Sequence, residues 1–182
     1  MTFTVRQGPT SAVMSEPTLQ QRPERPYAAI KVLVTMTELG DVVPPLNAEV
    51  FGWLAQHGVT PAGPPFWKYN VIDMARQLEI EAGVEVEQPI TGDDRVTAGV
   101  LPAGIYATLL HVGHPDALID ATKDLLEWGA KEGITWDKSD SAEGERWAAR
   151  LEFYLTNPDD EPDMAKWETE LAFRVADQTS TD

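Results

Sequence analysis

The 182-residue chain contains no cysteine. Disulfides, thiolate-held zinc and a cysteine nucleophile are excluded together. Positive charge is also scarce: 14 Lys+Arg stand against 30 Asp+Glu, a formal net charge of −16. No Lys/Arg run offers the counterion-replacing footprint that nucleic acid requires, and an anionic membrane surface is disfavoured on the same ground. No apolar stretch approaches ~18 residues, and residues 1–15 lack the charged and apolar regions of a secretory signal. The expectation is a soluble, cytoplasmic protein whose acidity favours cationic partners. A P-loop, a dinucleotide fingerprint and a Ser-His-Asp set are missing too.

What the chain does hold is a core. Hydrophobic residues make up 42% of it, including six Trp, four Tyr and five Phe, enough to bury a substantial interior. Residues 1–25 are polar and aperiodic and read as an extended or flexible leader. Tyr27–Thr37 alternates β-branched residues and reads as a strand. A helix is expected to open at Asp41–Pro45, with Leu46, Val50 and Leu54 as its stripe and Gly58 beyond its end. Phe66–Asn70 is a short aromatic strand, and Leu78–Glu87 alternates apolar with acidic positions. Arg95–Leu101 and Ile105–Val112 follow as strands. Pro115 and Asp116 open a second helix with Leu118, Ala121, Leu125 and Trp128 on one side, ended by Gly129 and Gly133. Trp147–Thr156 and Trp167–Val175 are the last strands, joined by the acidic turn Asn157–Asp163.

Each half therefore runs strand, helix, strand, strand. This predicts an α+β fold of mostly antiparallel strands with helices on one sheet face. The domain is expected over 26–176, with modules at 26–90 and 94–176 and a tail at 177–182.

The candidate chemistry is aromatic. Tyr27, Trp67, Tyr69, Tyr106, Tyr154 and Trp167 all fall on or beside predicted strands, where rings fill a core or wall a pocket for a flat or cationic ligand. In the last strand, period 2 sends Leu171, Phe173 and Val175 toward the helices and Glu168, Glu170, Ala172 and Arg174 the other way. In the neighbouring strand Glu152 and Tyr154 alternate with Leu151, Phe153 and Leu155, so pairing predicts that Glu170 and Tyr154 share the cleft face. A carboxylate among rings suits a cationic ligand or a base of raised pKa. His57 reads as a helix-end dipole partner. His111, His114 and Asp116 are close in sequence but supply no complete ligand set, so no metal and no cofactor is expected.

An ordered set of segments carries a resemblance across residues ~25–176. It comprises Arg25-Pro26-Tyr27-Ala28-Ala29-Ile30, Pro61-Ala62-Gly63 with Pro65–Tyr69, and Glu79–Val84. It continues through Leu101-Pro102-Ala103-Gly104 with Tyr106-Ala107, His111-Val112-Gly113 and Tyr154-Leu155-Thr156-Asn157-Pro158, and ends at Thr169-Glu170-Leu171. With these the chain resembles the GyrI-like small-molecule-binding family, related to the effector-binding domains of MerR- and AraC-type regulators. The resemblance implies two strand–helix–strand–strand modules about a pseudo-twofold, with a ligand cleft on the sheet face away from the helices. It implies lipophilic, planar, often cationic ligands. Glu170 matches the family's acidic residue and Tyr69 and Tyr154 its aromatic walls, whereas Ile105 departs from an expected polar position.

Ligand contacts are thus expected from Trp67, Tyr69, Tyr106, Tyr154, Trp167 and Glu170. With no helix-turn-helix segment of its own, the chain is expected to act as a stand-alone binder. The alternative, also implied by the resemblance, is a hydrolase that opens cyclopropane rings of DNA-alkylating natural products, with Glu170 as general base. A protein partner such as gyrase is a third option that no motif indicates.

Overall fold

The computed structural model describes residues 16–177. The strands are β1 (Thr18–Arg22), β2 (Arg25–Val34), β3 (Pro61–Ile72), β4 (Leu78–Val86), β5 (Thr97–Leu101), β6 (Gly104–Val112), β7 (Lys138–Ser141), β8 (Gly144–Trp147), β9 (Arg150–Tyr154) and β10 (Glu168–Arg174). Helix α1 spans Leu39–Gln56 and α2 spans Leu118–Lys131. All strands join one antiparallel, curled sheet in the order β1-β6-β10-β9-β3-β4-β2-β5, with the β7–β8 hairpin attached through β8 to the end of β3. The fold is α+β, as the strand and helix periods predict.

Both helices lie on the same face. Val43, Leu46, Val50 and Leu54 of α1 and Leu118, Ala121 and Leu125 of α2 share one buried cluster with Ile30, Ile80, Leu109, Leu171 and Phe173. The opposite face has its own smaller core of Tyr27, Ala29, Phe66, Leu101, Tyr106, Ala149, Leu151, Phe153 and Ala172. Period-2 alternation feeds both: in β2, Ala28 and Ile30 face the helices while Tyr27 and Ala29 face away.

Helix α1 starts two residues before the expected Asp41, because Thr35 and Glu38 form a reciprocal capping box. The Glu38 N–H donates to Thr35 Oγ1 at 3.2 Å and the Thr35 N–H to Glu38 Oε1 at 2.9 Å. Pro44 and Pro45 consequently sit inside the helix rather than at its first turn. Each helix ends in a Schellman turn on a left-handed glycine, Gly58 at φ 66° and Gly133 at φ 71°. The Val59 N–H returns to Leu54 O and the Ile134 N–H to Gly129 O, both at 2.9 Å. Gly129 therefore lies within α2 instead of ending it. A Cβ there would fall 2.4 Å from Cζ2 of Trp136.

Besides the longer β3 and the unexpected β7–β8 hairpin, two stretches depart from the sequence reading. Thr18–Arg22, inside the expected leader, is a sheet strand that pairs with β6 from Thr18↔Thr108 to Arg22↔Gly104; residues 1–15 of that leader lie outside the described residues. The expected strand from Trp147 to Thr156 is broken at Ala148-Ala149, so Trp147 ends β8 and Arg150 begins β9.

Beside the β2–β5 and β3–β8 pairings, the two halves of the chain meet near the middle of the sheet between β3 and β9 through three residue pairs, Phe66↔Phe153, Trp67↔Glu152 and Lys68↔Leu151. Prolines at 61, 64 and 65 remove backbone donors from the start of β3, which keeps the contact short. This seam carries the site.

Candidate functional site

On the helix side the sheet and the two helices enclose a groove of about 2010 Å³. Its floor is the seam. Trp67 and Tyr69 alternate onto it from β3, and Arg150, Glu152 and Tyr154 from β9. Phe51 and Pro44 of α1 and Leu118, Ile119 and Leu126 of α2 form the side walls, and Trp167 stands at the rim.

Glu152 is the centre of the floor. It is buried, and the Tyr154 hydroxyl donates to its Oε1 at 2.6 Å while the Tyr69 hydroxyl donates to the same oxygen at 3.0 Å. No hydrogen-bond partner is found for Oε2 among the described residues. Burial raises the Glu152 pKa above the ordinary carboxylate value, opposed by the two hydroxyls and by the Arg150 guanidinium. Burial next to this carboxylate lifts both tyrosine hydroxyls well above their usual range, so both stay protonated donors. Arg150 packs its guanidinium over the rings of Phe173 at 4.7 Å and Trp147 at 5.0 Å, and its burial lowers its own pKa.

The aromatic walls are held in place. Trp67 meets Tyr154 edge-on, with ring centroids 5.0 Å apart. The Trp67 indole N–H donates to Asn47 Oδ1 at 2.8 Å, and the Asn47 amide donates to the carbonyls of Phe66 and Gly83 at 3.2 Å each. Asn47 is a buried polar residue on the apolar side of α1, so it reads in sequence as an interruption of the stripe. Trp167 donates its indole N–H to Glu161 O at 2.7 Å, which ties the acidic turn to the rim.

Four of the six expected contact residues, Trp67, Tyr69, Tyr154 and Trp167, therefore line one groove. Tyr106 and Glu170 do not join them. Pairing sets Thr169 opposite Tyr154 and Glu170 opposite Phe153, so Glu170 and Tyr154 project to opposite faces of the sheet. The expectation that they share a face is corrected here. In β9 it is the apolar residues, Leu151 and Phe153, that face away from the helices into the second core. The carboxylate that accompanies the aromatic walls is Glu152, whose signal in the sequence was an acid within the run Leu151–Leu155.

Glu170 and Tyr106 line a smaller concavity of about 430 Å³ on the face away from the helices. Glu170 Oε1 is held at 2.7 Å by Nη2 of Arg22 from β1. The Tyr106 hydroxyl donates to Pro102 O at 2.7 Å, and burial pushes its pKa up to about 12. The expected cleft away from the helices thus exists as this pocket, but the larger groove lies between the helices.

The histidines have local roles. His57 closes α1 and stacks on Trp53 at 3.8 Å, while His111 Nε2 lies 3.2 Å from His114 O. Among the described residues no group of three or more His, Asp or Glu is placed to hold a metal ion, and no helix is long and apolar enough to cross a membrane.

Comparison with solved structures shows the same fold. The C-terminal domain of EcmrR superposes with a TM-score of 0.68 at 19% identity, covering 90% of this chain and 98% of that one. EcmrR in a DNA complex gives a TM-score of 0.70 at 21% identity over 90% of this chain, which spans only 58% of that longer chain. SAV2435 bound to tetraphenylphosphonium gives 0.58 at 11% identity, covering 89% and 94% of the two chains. A hydrolase from Listeria innocua gives 0.59 at 14%, covering 88% and 92%. No curated protein matches in sequence. The family described as a GyrI-like small molecule binding domain matches residues 15–176. With nearly its whole length matched, the chain belongs to the GyrI-like small-molecule-binding family.

Proposed function

We propose that the chain binds large, lipophilic cations in the groove between α1 and α2, with Glu152 as the charge-selecting group. The observation that carries this reading is the buried carboxylate itself: two tyrosine hydroxyls fix one oxygen, and the other has no donor among the described residues. A ligand cation in contact with the Trp67, Tyr69 and Tyr154 rings would gain ring-face attraction and a desolvated ion contact together. The groove's charge agrees. Asp116, Glu127, Glu145, Glu152, Asp159 and Glu168 line it against only Lys123 and Arg150, an arrangement that concentrates cations at a low-dielectric surface. A fold neighbour at 11% identity holds tetraphenylphosphonium, a ligand of this class.

The test is a calorimetric titration with tetraphenylphosphonium. Glu152→Gln keeps the shape and the tyrosine contacts and removes the charge, so affinity should fall about tenfold or more, the equivalent of ~1.4 kcal/mol. Glu170→Gln, on the other face, should leave affinity unchanged. Equal binding by wild type and Glu152→Gln would refute the reading.

A second reading is supported by the raised pKa of Glu152 and by the fold likeness to a Listeria innocua hydrolase. A carboxylate with elevated basicity on a ring-lined floor takes the proton of a water attacking a cyclopropane carbon conjugated to a carbonyl; the ring bond breaks as the carbon–oxygen bond forms, its electron pair passes into that conjugated carbonyl, and the resulting oxyanion takes up the proton. Glu152 suits this role better than Glu170, which is committed to Arg22 on the opposite face. Incubation with a cyclopropane-bearing alkylator decides it: a hydrated, ring-opened product that Glu152→Gln fails to make supports hydrolysis, and no turnover above buffer leaves binding alone.

A further inference from the structure

The concavity on the face away from the helices is built from different chemistry. Its floor is apolar and aromatic, with Leu101, Tyr106, Leu151 and Phe153. Arg22 and Arg25, on either side of the short turn joining β1 to β2, project into it. The Arg22 guanidinium carbon lies 5.8 Å from the ring centroids of both Tyr106 and Phe153. Each arginine is tied at only part of its donor fork. Arg22 gives Nη2 to Glu170 at 2.7 Å, and Nε and Nη2 to Gln20 at 3.3 and 3.0 Å. Arg25 gives Nη1 to Glu85 at 3.2 Å. Among the described residues Nη1 of Arg22, and Nε and Nη2 of Arg25, have no hydrogen-bond acceptor.

The charge balance separates the two concavities. The groove carries six carboxylates against two cations, whereas this pocket carries two of each, Arg22 and Arg25 with Glu85 and Glu170. The balanced charge gives neither a cation nor an anion a net field here, so selection rests on geometry: a planar carboxylate is favoured because the free donors of a guanidinium fork match it in shape as well as charge and two rings lie beneath Arg22. A volume of about 430 Å³ is in the range of small-molecule sites.

The geometry points to a second binding site on the sheet face away from the helices, for a small aromatic carboxylate held by Arg22 and Arg25 over Tyr106 and Phe153. Glu170 acts there as a resident competitor, occupying the Arg22 edge that the ligand carboxylate would take. The site is independent of the groove and of what the groove binds.

The competition gives the test its sign. With 2-naphthoate as probe, titrated calorimetrically into the full chain, one equivalent should bind. Arg22→Gln should weaken it about tenfold, in line with loss of one charge-assisted contact. Glu170→Gln should tighten it, because the negative charge that repels the probe and competes for Arg22 is removed, while Glu152→Gln in the groove should change nothing. Ring resonances of Tyr106 and Phe153 should shift in the wild-type protein on addition of the probe, a readout that needs no variant. The proposal is overturned if 2-naphthoate shows no saturable binding, if Arg22→Gln binds it as wild type does, or if Glu152→Gln rather than Arg22→Gln weakens it. The last result would assign the probe to the groove.

Discussion

Replacing Tyr154 by Phe removes one hydroxyl and little else, and the consequence can be worked from the floor geometry. The lost contact is a 2.6 Å donor to a buried carboxylate. Hydrogen bonds to charged groups contribute about 1.5–3 kcal/mol, against about 0.5–1.5 for neutral pairs. Above the raised Glu152 pKa, where the group is ionised, Tyr154→Phe should therefore cost about 1.5–3 kcal/mol of folding stability. Tyr69→Phe should cost less, because its hydroxyl lies at 3.0 Å from the same oxygen. Acidification alters the balance. The folded-state pKa of Glu152 is raised by burial, so the folded protein takes up a proton before the unfolded chain does. Stability from this group is present at low pH and lost as pH rises through the raised value. In Tyr154→Phe a contact that favours the ionised form is gone, so Glu152 protonates at still higher pH and the variant gains more on acidification. The stability gap should then narrow toward the neutral-pair range of about 0.5–1.5 kcal/mol. Urea unfolding of both proteins across pH 4 to 8 measures it. A gap that is constant with pH, or one that widens on acidification, would refute the claim that these hydroxyls serve an ionisable Glu152.

Two further outcomes test the scaffold. Gly83→Ala should destabilise by about 1–3 kcal/mol in urea, because its Cβ would lie 2.5 Å from Cζ of the fully buried Phe66 ring beneath the seam. On the face away from the helices, Lys68 Nζ lies 3.5 Å from Glu81, which also accepts from Tyr27 and Asn70, and burial lowers the Lys68 pKa. Lys68→Met alone should cost about 3–5 kcal/mol by leaving the buried Glu81 charge without its counter-ion, while Lys68→Met with Glu81→Gln, which is neutral and keeps an acceptor oxygen for Tyr27 and Asn70, should recover most of that loss. A double variant no better than the single one would count against a paired buried charge.

How far the sequence reads depends on what holds each element. Strands β2, β4 and β10 and both helices are legible because their burial follows period 2 or 3.6, and the two terminal glycines mark where the helices stop. Strand β1 is not, since Thr-Leu-Gln-Gln-Arg has no apolar alternation and almost no burial. Its place comes from backbone pairing along β6, which leaves no trace in side-chain pattern. The β7–β8 hairpin is hidden for the same reason, being built from Lys138–Ser141 and Gly144–Trp147 with Trp147 as its one buried residue. The capping box at Thr35 and Glu38 was legible in spacing, and it explains the early start of α1.

The site shows the sharper limit. Trp67, Tyr69, Tyr154 and Trp167 can be picked out as rings beside strands, but alternation gives only two sets of side chains, not which set meets the helices. A strand with one dry face would send Leu151 and Phe153 to the helix side. This sheet has a core on both faces, so β9 is free to do the reverse. Register then decides: Leu171 stands beside Glu152, and Leu171 already belongs to the helix-side core. A one-residue slip of β9 would exchange Glu152 and Tyr154 for Phe153, remove the carboxylate from the groove and deliver it to the side that Arg22 and Arg25 occupy. That register is held by five backbone pairs with β10, Thr169↔Tyr154 to Phe173↔Arg150, and by three with β3. The placement of Glu152 on the groove floor, on which the proposed role of the groove depends, therefore rests on the pairing of β9 with both of its neighbours.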